Sequence, residues 1–60
     1  MTVEDIAAIA RHLFETHGAK AIAEAGQKGA AFDAAGDKAQ AQTWRRIETA
    51  LREMRGPKQA

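Results

Sequence analysis

His12, His17 and the threonines Thr2, Thr16, Thr43 and Thr49 are the side chains of this 60-residue sequence with types suited to nucleophilic, acid-base or metal chemistry. A nucleophile needs a hydroxyl or thiol beside a base that takes its proton. The chain has no Ser, Cys or Tyr, and no threonine is read as standing at an activating distance from a His or Lys. His12 and His17 are five positions apart, which turns them about 140° away from one another on a helix, so one metal ion cannot be held by both. Carboxylates fall at capping and surface positions, where solvation explains them without general acid-base work. The expectation is a non-enzyme: no catalytic residue, no cofactor and no metal.

One constellation remains. Trp44 flanks Arg45 and Arg46, and with Arg52 and Arg55 these could stack on a base and grip phosphates. Glu48 and Glu53 interrupt the basic run, and the helical spacing of Trp44 with Ile47 assigns the indole first to a core. A solvated basic face is therefore preferred to a nucleic-acid surface, which is kept as the alternative.

Positioning these residues requires three helices, expected at about 3–17, 19–35 and 38–54, with a frayed tail at 57–60. Thr2 and Asp5 suit an N-terminal capping box, and Met1 with Ile6 a hydrophobic staple. Val3, Ile6, Ile9, Ala10, Leu13, Phe14 and His17 then share one side of the first helix. Gly18 either ends that helix or kinks it, and the apolar stripe, which rotates by about a right angle beyond Gly18, favours an end. In the second helix Ile22, Ala25, Gly29 and Phe32 form a seam of small residues between two large ones. Such a helix is intrinsically weak, because each interior glycine costs about 1 kcal/mol relative to alanine.

The stretch Ala34-Ala35-Gly36-Asp37 predicts a tight antiparallel hairpin, since Gly36 can end one helix in the left-handed conformation and Asp37 can cap the next. Asp37 and Gln40 form the capping pair, and Gly56-Pro57 the stop. Trp44, Ile47, Leu51 and Met54 are the apolar seam of the third helix, with Arg45, Glu48, Thr49 and Arg52 opposite. Glu48 and Arg52 are oriented for an i,i+4 ion pair. The fold class is all-α: one small three-helix domain over residues 1–60.

Sixty residues bury only about 60% of their unfolded surface, and without Cys no disulfide compensates. Net charge is +1, but the sequence up to Asp37 sums to about −3 and the remainder to about +4. No apolar run approaches a membrane span of about 18 residues, and the first residues are acidic. No membrane partner is expected, and the chain reads as cytoplasmic.

The spacing of His17-Gly18, Ala34-x-Gly36-Asp37 and Trp44-x-x-Ile47 resembles a group of short, uncharacterised alphaproteobacterial helical proteins, a domain of unknown function. The resemblance covers most of the chain and implies a bacterial protein with this fold. It carries no activity, because the shared motifs are helix punctuation. Helix 2 departs from that group in being poor in large apolar residues.

The functional expectation is an interaction or self-association module, with Ile6, Ile9, Leu13, Phe14 and Trp44 as its surface and a homodimer or another protein as partner. Small size, a glycine-weakened middle helix and opposite charge in the two parts all favour self-association. A small nucleic-acid-binding regulator using Arg45, Arg46, Arg52 and Arg55 is the alternative.

Overall fold

Gly18 adopts a left-handed φ of 64°, and the first helix ends there. The computed structural model describes residues 3–56, in which α1 (Val3–His17), α2 (Lys20–Ala34) and α3 (Lys38–Arg55) follow one another. The capping box at Thr2, the staple at Met1, Pro57 and the tail lie outside the described residues. The Gly18 amide still donates to the Phe14 carbonyl oxygen at 2.8 Å, so the chain completes its last turn before reversing. Ala19 then opens α2 with no side-chain cap. The junction is thus a break, two residues long, and α2 begins one residue later and ends one residue earlier than its spacing suggests.

The second reversal has more hydrogen bonds to hold it. Gly36, with φ of 85°, donates to the Asp33 carbonyl oxygen at 3.0 Å, and the Asp37 amide donates to that of Phe32 at 2.9 Å. Together these satisfy two end-of-helix carbonyls in a Schellman arrangement. Asp37 simultaneously caps α3, its carboxylate accepting from the Gln40 amide at 3.2 Å. Only half of the capping pair forms: the Asp37 amide is already committed to Phe32, leaving nothing for the Gln40 side chain to accept.

Helices α2 and α3 pack most extensively, α1 leans mainly on α3, and α1 meets α2 least. This is the hairpin that Gly36 and Asp37 predict, closed into a three-helix domain by α1. The core consists of Ile6, Ala10, Ala21, Ala25, Ala41, Ile47 and Leu51. Four of these seven are alanines, and Ile47 and Leu51 are the largest side chains that are fully enclosed. Ile9, Leu13, Phe14, Ile22, Trp44, Ala50 and Met54 are half-buried against them.

The buried line of α2 is Ala21, Ala25 and Gly29, a straight i,i+4 row, rather than the seam beginning at Ile22. Ile22 and Phe32 lie to either side of it and stay half-buried. Close approach explains the shift. A Cβ on Gly29 would lie 3.4 Å from Arg45 Cγ, 3.6 Å from the Ala41 carbonyl oxygen and 3.7 Å from Trp44 Cβ, so α3 passes directly over this glycine. Only small residues can occupy the contact line at that separation.

Candidate interaction surface and the fate of the reactive side chains

Helix geometry disposes of the hydroxyls first. His12 and Thr16, four residues apart, do share a helix face, a pairing easily passed over in the sequence, but the Thr16 hydroxyl donates to the His12 carbonyl oxygen at 2.9 Å. Thr43 and Thr49 donate likewise to Ala39 and Arg45 carbonyls, at 3.0 and 3.1 Å. Each proton is held by backbone and not by a base.

His17 departs from its expected place in the apolar stripe. The ring is exposed, and Nδ1 lies 3.4 Å from Glu24 Oε1, bridging the end of α1 to the second turn of α2. Packing of α1 chiefly against α3, with the abrupt turn at Gly18, leaves room beside His17 for a polar partner. His12 is exposed, and no group of three or more metal-binding side chains converges among the described residues.

Charged residues of α3 reach across to α2 where the glycines leave space. Arg45 donates to Asp33 at 3.2 Å, while Lys38 donates to the other oxygen of the same carboxylate at 2.6 Å. The Lys38 ammonium, as donor and as charge, with Arg45 adding to it, holds the Asp33 carboxyl below its ordinary value of 3.8. Glu48 lies over Gly26, with Oε2 3.3 Å from the position of a Cβ there, and accepts from Arg52 at 2.9 Å. Arg45 and Glu48 therefore border the α2–α3 contact and are not opposite the seam. Their aliphatic parts cover small residues while their charged ends stay near water.

Trp44 is half-buried, and the Lys28 ammonium sits 5.5 Å from the centre of its ring. The indole face is thereby occupied by a cation within the same molecule. Of the four arginines proposed to meet phosphate, Arg45 and Arg52 are paired internally, and Arg46 and Arg55 are exposed and outside the ion pairs among the described residues. At 100° per residue Arg46 and Arg55 point in nearly opposite directions around α3, so the set does not converge on one face.

The expected interaction residues divide between core and surface. Ile6 is spent in the core, whereas Ile9, Leu13, Phe14 and Trp44 are half-buried around it. Beside Ile6 opens a groove of about 470 Å³ between the first turns of α1 and the outer side of α3. Ile6, Ala7 and Ala50 form its floor, and Gln42, Arg45, Arg46, Thr49 and Glu53 its rim. The spacing of Gln42, Arg46, Thr49 and Glu53 sets them along one polar stripe of α3, which reads as a solvated face, whereas the opening itself arises from the small size of Ala7 and Ala50 on facing helices.

Comparison with protein-family models, curated proteins and solved structures returns no match. The resemblance carried by His17-Gly18, Ala34-x-Gly36-Asp37 and Trp44-x-x-Ile47 accordingly rests on those motifs alone. None of the described helices is long and apolar enough to cross a membrane.

Proposed function

We propose that this chain is a non-enzymatic helical interaction module acting chiefly through self-association. The observation that carries this reading is the mismatch between core and apolar supply. Four of the seven buried core residues are alanines, while Ile9, Leu13, Phe14, Ile22, Trp44 and Met54 retain apolar surface in contact with water. Covering that surface is favourable by about 25 cal/mol per Å², a substantial gain for a domain of this size. A second copy offers both matching apolar area and opposite charge. Internal pairing of Arg45 and Arg52 favours a protein over a nucleic acid as the partner.

Sedimentation across a wide concentration range tests the proposal, with a concentration-dependent shift to dimer mass expected. A single species of monomer mass up to high micromolar concentration, with a melt independent of concentration, would refute self-association. Binding to generic DNA that declines steeply with salt would instead favour the nucleic-acid alternative.

A further inference from the structure

The α1–α3 groove carries a pattern of charge that is complementary to itself. Arg46 and Glu53, both exposed and both outside the ion pairs that join the described residues, stand on its rim. Seven residues make almost two full turns, so the two side chains lie along one edge of α3, about 10.5 Å apart and too distant to pair with each other. Midway between them are Thr49 and Ala50, the first exposed and the second half-buried.

Suppose a second α3 lies antiparallel to the first, related by a two-fold axis that passes between Thr49 and Ala50. Arg46 of each copy then falls opposite Glu53 of the other, giving two equivalent ion pairs on either side of a small-residue crossing. The same operation sets the second α3 over Ile6 and Ala7, and the first α3 over their counterparts, so each groove is filled by the other copy's helix. An isologous interface must be self-complementary in this way, with residue i meeting j and j meeting i.

The geometry points to a symmetric dimer formed through this groove, α3 against α3, with Arg46 and Glu53 fixing its register. This rests on the self-association proposed above but assigns the contact to the groove beside Ile6, which is separate from the half-buried Ile9, Leu13, Phe14, Ile22, Trp44 and Met54. Because the rim is polar and the apolar floor small, the contact belongs to the weak, salt-sensitive class.

Charge exchange tests it. Arg46→Glu alone or Glu53→Arg alone sets like charges opposite each other twice, and each should weaken dimerisation by about tenfold or more in sedimentation at low salt. The double variant Arg46→Glu with Glu53→Arg restores both pairs and should return to within about threefold of the parent chain. Circular dichroism of each variant checks that these exposed substitutions leave the helices intact. Since the sequence has no Cys, Thr49→Cys supplies an independent readout: with oxidised glutathione it should form a disulfide-linked dimer, whereas Ala8→Cys, on the exposed side of α1, should not. A parent dimer unaffected by either single exchange would overturn the groove interface and leave self-association standing. So would single variants that weaken association without rescue in the double. A parent chain that stays monomeric would overturn both.

Discussion

Lys38 donates to Asp33 at 2.6 Å across the α2–α3 turn, joining the acidic first part of the chain to its basic remainder. With its carboxyl held below 3.8, Asp33 contributes stability that is fully present above that value and is lost as pH falls through the lower folded value. Chemical melts of the parent and of Asp33→Asn should therefore differ at neutral pH and converge as pH falls below the lowered folded value, where both side chains are uncharged. Asp33 keeps 36% of its side-chain surface in water and Lys38 77%, so the difference should be small and should shrink in high salt.

Asp37→Ala removes the cap on α3 and should cost about 0.5 to 2 kcal/mol. Gly36→Val should cost more, because φ of 85° is a conformation that a β-branched residue rarely adopts. Thermal melts of both variants check the turn, and unchanged midpoints in both would show that it does not hold the hairpin.

Gly29 separates two effects that usually travel together. An alanine Cβ there meets Arg45 Cγ at 3.4 Å and other atoms farther away, which is ordinary contact, so Gly29→Ala should stabilise by up to about 1 kcal/mol through helix propensity. Gly29→Leu has no such space and should destabilise by about 1 to 3 kcal/mol or more. Equal effects of the two substitutions in urea melts would contradict the close approach of α3.

Leu51 and Ile47 are the two large side chains that α3 buries completely, at 0% and 1% exposure. Truncating a buried Leu to Ala costs about 2 to 5 kcal/mol, against a total of only about 3 to 5 kcal/mol for a domain this small. Leu51→Ala should thus leave the chain largely unfolded at room temperature by circular dichroism, while Arg46→Ala on the exposed side of α3 should leave its helicity unchanged.

The helix ends were the legible part of this protein. Gly18, Gly36 and Asp37 act through local geometry, and each performs in the structure the role its residue type implies. What depends on the distance between helices was not legible. Ala21 is fully buried while its neighbour Ile22 is only half so, an order that hydrophobicity alone reverses. His17 turns toward Glu24, and Arg45 and Glu48 fold over α2, because these orientations follow from where α2 lies and not from the period of their own helices. The groove escaped for a similar reason: Ile6, Ala7 and Ala50 come together only when α1 is laid on α3.

An interior closed by Ala10, Ala21, Ala25 and Ala41 also sets the direction in which this sequence can drift. At such positions the fold imposes a hard ceiling on side-chain size and a softer floor, since a glycine there costs about 1 kcal/mol in helix propensity and loses one methyl group, while a leucine forces two helices apart. Accumulated change would be channelled to the outer faces, and distant descendants of the same architecture would share the places where they remain small more faithfully than the places where they are greasy.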